Sequence, residues 1–172
     1  MDKNNSANIL IKNTPTLLTI LIVILTMTGC NALTSKVIHP GSYELVQLGK
    51  IDKDDPQSYR AYKAHGKVFH SHPSVLSPTF FSVYLLEHTE IHEGESVLDV
   101  GTGTGIQAIF AAEKASHVLA TDLNQFSPDN TLLNAKRLGV SDKISVRISD
   151  LFNELKADEK FDVIISSIPY AW

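Results

Sequence analysis

The sequence predicts an α/β fold built on a doubly wound parallel sheet, and three observations predict it. Ser96 to Gly105 reads Ser-Val-Leu-Asp-Val-Gly-Thr-Gly-Thr-Gly, an apolar run that ends in an acid and breaks into alternating glycines. Two further apolar runs, Val118 to Asp122 and Phe161 to Ile165, suit the interior of a parallel sheet. Helix signals separate the strands, so strand, loop and helix alternate along the chain. A strand, a glycine loop and a helix in succession make a nucleotide-type binding site, with the ligand at the carboxyl end of the strand.

The 172 residues allow one domain and a tail, and hydrophobic and charged fractions of 43% and 20% are those of a globular protein. A net charge of -4 gives no electrostatic reason for strong binding to nucleic acid phosphates. A single cysteine excludes an internal disulfide framework and a thiolate zinc site. No internal repeat is visible.

Residues 1–30 have the layout of a signal peptide or membrane anchor. Lys3 and Lys12 lie in a polar start, Leu17 to Leu25 is apolar, and Met27-Thr28-Gly29-Cys30 ends the run. Leu17 to Thr28 as a helix would span about 18 Å, short of the ~30 Å hydrocarbon core. Thr28-Gly29-Cys30 resembles the lipobox of bacterial lipoproteins, which implies acylation of Cys30 and a membrane-associated, lipid-anchored chain. An uncleaved anchor, or an ordinary thiol with translation starting at Met27, are the alternatives; without use of this segment the chain is cytoplasmic.

Residues 31–74 read as linker and N-terminal extension, with a charged turn at Asp52-Lys53-Asp54-Asp55-Pro56. His65, His70 and His72 lie close together, but without a helical i, i+4 pair or a nearby acid they read as a solvated loop rather than a metal site. From residue 75 to 172 the elements follow in order. Ser77-Pro78 is a helix start, serine as N-cap and proline at the first helical position. Phe80, Phe81, Val83, Tyr84, Leu85 and Leu86 follow at helical spacing and should pack against the sheet, while Val75 to Pro78 can cover a bound ligand. Gly94 closes the turn before the first strand. Val97, Leu98 and Val100 form that strand, and Ile106 to Ala115 a helix.

Val118 to Asp122 is the second strand, ending in an acid about 20 residues beyond the glycine loop, where a carboxylate can accept both hydroxyls of an adenosine ribose. Ser127-Pro128 repeats the helix start, and Thr131 to Leu138 is a helix stopped by Gly139. Ile144 to Ile148 alternates and leads to Asp150 as a third strand. Leu151 to Leu155 is a turn or short helix, and Phe161 to Ile165 is a fourth strand beside the first. The partial strand order is then 3-2-1-4.

The loop also narrows the ligand. A dinucleotide fingerprint needs a third glycine where this chain has Ile106, which disfavours a nicotinamide-dependent oxidoreductase. A Walker loop is absent. A G-x-G-x-G loop preceded by Asp99 fits a ligand with a cationic amine, which Asp99 can face directly or through water while Asp122 takes the ribose.

Val97-Leu98-Asp99-Val100-Gly101-Thr102-Gly103-Thr104-Gly105 resembles the first motif of class I S-adenosylmethionine-dependent methyltransferases, Thr121-Asp122 the second, and Asp150-Leu151-Phe152 the acidic turn beside the adenine. The resemblance implies a Rossmann-like sheet and S-adenosylmethionine as cofactor. It implies cofactor contacts at Asp99, Gly101, Thr102, Gly103, Thr104, Gly105, Asp122, Asp150 and Leu151. The most similar branch carries Asn-Pro-Pro-Tyr after the fourth strand, where this chain has Ser167-Ile168-Pro169-Tyr170. In that branch the asparagine and the following carbonyl orient a planar amino or amide nitrogen and the tyrosine packs on it, so these four residues are the candidates for catalysis. Pro169 and Tyr170 match, the Ile168 carbonyl can still accept, and Ser167 is shorter than asparagine. The acceptor is then a nitrogen of a protein or an RNA. Members continue beyond this motif with three more strands, which implies a sheet incomplete at its C-terminus. The rival expectation is a non-catalytic membrane lipoprotein with a degenerate methyltransferase fold.

Overall fold

The computed structural model describes residues 45–52, 54–55 and 57–168. The chain divides into two units, Met1–Leu33 and Thr34–Trp172, and all described residues lie in the second. The apolar run, Cys30, Pro169 and Tyr170 therefore lie outside the described residues. Among the described residues no helix is long and apolar enough to cross a membrane, and no group of histidine, cysteine or acidic side chains is placed to hold a metal ion.

The parallel sheet forms as the apolar runs dictate. Strands β4 (Ser96–Val100), β5 (His117–Asp122), β6 (Ile144–Ile148) and β7 (Val163–Ser166) stand in the order β6-β5-β4-β7, every pair parallel. This is the expected 3-2-1-4 arrangement. Alternate residues of β4 face opposite sides. Val97 joins Val118, Ala120 and Ile165 in the main core, and Leu98 and Val100 meet Leu119, Leu155, Phe161 and Ile168 on the other face. β7 begins two residues later than expected. Asp162 is spent on Ser96 instead: its carboxylate accepts the Ser96 N–H at 2.8 Å and the Ser96 hydroxyl at 2.7 Å.

Helix α1 (Phe80–His88) corrects two expectations. Its N-cap is Thr79, not Ser77; the Thr79 N–H donates to Ser82 Oγ at 3.2 Å, while the Ser77 hydroxyl pairs with Ser71 Oγ at 3.2 Å. The aromatic stripe does not all pack inward. Val83 is buried and Leu85 and Leu86 partly so, but Phe81 is 65% and Tyr84 45% exposed. A helix apolar all round has more apolar surface than one face can bury, and here the outer rings pack on each other, with Tyr84 stacked on His88 at 4.0 Å. Helix α2 (Ile106–Ala111) is shorter than expected because its ladder tightens beyond Ala111, where the Glu113 N–H reaches the Phe110 carbonyl at 3.3 Å. Helix α3 (Ser127–Arg137) starts at the expected Ser127-Pro128, with Phe126 rather than Ser127 at the cap and Pro128 in the first turn, and stops before Gly139 at φ 75°.

The stretch read as linker holds an antiparallel ribbon: β1 (Val46–Lys50), β2 (Arg60–Ala64) and β3 (Lys67–Ser71) in the order β1-β2-β3. His65 lies in the β2–β3 turn, His70 in β3 and His72 just past it, so the three histidines do not share one solvated loop. His65 and Gly66 make the β2–β3 turn with φ of 47° and 77°, the pairing that a tight hairpin requires. The outer edge of β3 meets side chains instead of a strand. Asn134 Oδ1 accepts the His70 N–H at 2.8 Å, and Asn130 Nδ2 and Asn134 Nδ2 both donate to the His70 carbonyl at 2.8 Å.

Candidate functional site

The carboxyl end of β4 turns through the glycine loop because Gly101, Gly103 and Gly105 all adopt positive φ, at 77°, 56° and 82°. The Gly101 and Thr102 N–H groups share the Thr121 carbonyl at 2.9 Å, which fastens the loop to β5. The three glycines meet different neighbours. A Cβ on Gly101 would stand 2.9 Å from Ile168 Cγ1, so the segment after β7 comes down on the loop there. One on Gly103 would meet only the Leu76 carbonyl at 3.5 Å and Val75 Cγ1 at 4.0 Å, so the segment before α1 passes over this glycine. One on Gly105 would stand 2.8 Å from Thr131 Cγ2 of α3. Gly105 admits a helix. Thr104 is also turned into the fold, buried and giving its carbonyl to Asn134 Nδ2 at 2.8 Å.

Asp122, half-buried at the end of β5, is held at both oxygens. Oδ2 accepts the Gly103 N–H at 2.8 Å and Oδ1 the Asn124 N–H at 2.9 Å. A carboxylate oxygen has room for a second donor, so the fixed group can still take two hydroxyls. Asp99 is fully buried beneath the loop, with Oδ2 accepting the Ala108 N–H at 3.2 Å and Oδ1 without a partner. Burial pushes its carboxyl from 3.8 up to about 7; the nearby Thr102 hydroxyl and the Ala108 N–H pull the other way, and the charge of Asp122 adds to the rise. Thr102 Oγ1 is likewise sealed and lacks a partner at bonding distance. Asp150 and Leu151 lie beyond β6, both exposed, with Leu151 at φ 51°, beside the exposed Phe152. Ser167 and Ile168 are half-buried past β7.

The expected site residues that the structure describes thus gather at one end of the sheet, apart from Thr104 and Gly105, which face inward. Three residues escaped the sequence reading. Asn130 and Asn134, both 0% exposed and one turn apart, bind β3 to α3 and to the glycine loop; Asn124 links Asp122 to the segment over Gly103. The signal for Asn130 and Asn134 was asparagine recurring within a helix, where it is a poor helix former without a partner.

A four-stranded parallel sheet in this order, with a glycine loop after the central strand and an acid ending the next, is the Rossmann-like nucleotide-binding arrangement that class I S-adenosylmethionine-dependent methyltransferases use. The tRNA m1G37 methyltransferase of M. jannaschii, a solved structure, superposes with a TM-score of 0.56 at 18% identity over 67% of this chain and 37% of that one, a likeness of fold alone. The model of the ribosomal protein L11 methyltransferase (PrmA) family matches residues 76–169, more than half of the chain, and the chain belongs to that family. The ribosomal protein L11 methyltransferase of Desulforamulus reducens is 44% identical over 79 residues, 45% of this chain and 25% of that one. The release factor glutamine methyltransferase of Cereibacter sphaeroides is 35% identical over 107 residues, 61% and 38% of the two chains. The chain spans between a quarter and two-fifths of the length of these relatives.

The cofactor of the family is S-adenosylmethionine, and the residues present fit it. Two sealed polar atoms lie unpartnered under the loop, and Asp122 keeps acceptor capacity at both oxygens.

Proposed function

We propose that this chain binds S-adenosylmethionine across the carboxyl ends of β4 and β5 and acts as a methyltransferase on a protein acceptor. The observation that carries the reading is the Asp122 carboxylate, pinned between the Gly103 and Asn124 N–H groups at the mouth of the loop. When bound, S-adenosylmethionine supplies an electrophilic methyl group on a sulfonium. Asp122 takes the ribose hydroxyls, Gly101 to Gly103 let the backbone approach, and Asp99 with Thr102 provides a polar floor toward the amine. Leu151, beside Asp150, offers an exposed apolar side chain to the adenine. Ser167 to Tyr170 place the acceptor, with the Ile168 carbonyl as hydrogen-bond acceptor for its nitrogen; methyl transfer needs alignment more than acid-base chemistry. The relatives' names favour protein over RNA, since they act on ribosomal protein L11 and on release factor glutamine.

Calorimetric titration of the full chain with S-adenosylmethionine tests this. Wild type should bind, and Asp122→Ala should bind ten- to a hundredfold more weakly, as expected for loss of charge-assisted hydrogen bonds worth about 1.5–3 kcal/mol. No heat from wild type would sink the cofactor assignment. Binding with no methyl transfer to L11 or to a release factor would instead support a non-catalytic protein that keeps the fold.

A further inference from the structure

Between β3 and α1 a strap, residues 72–76, crosses the glycine loop. Its base is internally braced, the Val75 N–H donating to the His72 carbonyl at 2.9 Å and the Ser71 hydroxyl to the Val75 carbonyl at 3.2 Å. Its outer side is gripped by the loop that follows Asp122. Asn124 Nδ2 donates to the Ser74 carbonyl at 2.6 Å, and the His72 ring stacks on Phe126 at 4.7 Å with 11° between the planes. Asn124 has its other polar groups engaged as well. Its N–H holds Asp122 Oδ1 at 2.9 Å, its Oδ1 accepts the Phe126 N–H at 3.0 Å, and its carbonyl accepts the Ser127 N–H at 3.0 Å.

One residue therefore touches the carboxylate with its backbone and the strap with its side chain. We propose that Asn124 is a positioning residue that clasps the strap over Gly103 when nucleoside hydroxyls engage Asp122, an inference that rests on the cofactor reading above. The Asn124–Ser74 bond is exposed to water, so the free protein can open it at little net cost. A ligand that adds its hydroxyls to the Asp122 carboxylate strengthens the hold on the Asn124 N–H bonded to it, and the side chain is then better ordered for its grip on Ser74. Engagement at one end lowers the ordering cost at the other, which makes strap closure and ligand binding mutually reinforcing.

The test uses the full chain with S-adenosylhomocysteine as probe, and two readouts: the dissociation constant by calorimetry, and amide hydrogen exchange of the peptide containing residues 72–76. In wild type the probe should slow exchange of the Ser74 and Val75 amides. Asn124→Ser keeps an acceptor for the Phe126 N–H but cannot reach the Ser74 carbonyl. It should weaken the probe about three- to tenfold and abolish the added protection. Ser74→Ala keeps the gripped carbonyl and should behave as wild type; a loss equal to that of Asn124→Ser would overturn the assignment. Wild type that fails to bind the probe refutes the cofactor reading. Wild type that binds without protecting residues 72–76 refutes the clasp alone, and this comparison decides the matter even if Asn124→Ser does not fold.

Discussion

Gly105→Ala should be among the most costly single substitutions in the glycine loop, for a reason unrelated to any ligand. Gly105 sits at φ 82°, where an L side chain costs about 1–2 kcal/mol. The new Cβ would also stand 2.8 Å from Thr131 Cγ2, 3.0 Å from Thr131 Oγ1 and 3.1 Å from Thr131 Cα. Thr131 cannot easily give way. It is fully buried, its β-branched side chain has few rotamers in a helix, and one of the three contacts is backbone. Overpacking of this kind adds about 1–3 kcal/mol, for a total of about 2–5 kcal/mol. Gly139→Ala isolates the backbone part, since Gly139 has φ 75° and nothing within 4 Å of the added atom. Urea denaturation of the full chain followed by far-ultraviolet circular dichroism reads the difference. With a slope of about 2 kcal/mol/M, the Gly105→Ala midpoint should lie about 0.5–1.5 M below that of Gly139→Ala. Thr131→Ser removes the closest contact and should recover part of the gap in a double-mutant cycle. Equal midpoints for the two alanine variants would refute the packing argument.

Two further outcomes follow from buried groups. Asp99 holds its proton more tightly folded than unfolded, since its carboxyl rises from 3.8 to about 7. Its contribution is therefore full below about pH 4, declines as pH rises toward about 7 and is level above that, a total of about 4 kcal/mol. Asp99→Asn should match wild type near pH 4 and exceed it at pH 8 in a denaturation series, and a variant that parallels wild type across that range would contradict the assignment. Asn134→Leu leaves the His70 N–H and the Thr104 carbonyl without their side-chain partner. It should cost about 2–5 kcal/mol and speed exchange of the His70 amide; a loss under about 1 kcal/mol would mean that water substitutes for the amide.

The parallel sheet was legible because β4 and β5 are buried on both faces, and a run such as Val97-Leu98 or Val118-Leu119-Ala120 has few other places to go. Asp122 was legible because an acid that ends the strand beside a glycine loop has a fixed relation to that loop in space. The ribbon was not. Its strands are five residues each, a register shift between Gln47 and Gly49 breaks the alternation of β1, and His65-Gly66 is not the Asn-Gly turn that announces a hairpin. The division of labour among the three glycines was equally hidden, because it depends on Ile168, Leu76 and Thr131, which are remote in sequence. The same holds for Asn130 and Asn134, whose partners at His70 and His72 lie 58 to 64 residues away. The aromatic run of α1 misled for another reason: periodicity gives the helix, while the depth of the neighbouring groove decides how many of its rings are covered.

Two carboxamides standing in for a strand have a mechanical consequence. The ribbon possesses no boundary at which it can peel off alone, since Asn134 grips His70 of β3 and Thr104 of the loop with the same NH2 group. Subglobal opening of one should therefore carry the other with it. A proteolytic nick at the ribbon's tip would then be felt at the loop, through that amide and through the segment 72–76 that leaves β3 and passes over Gly103.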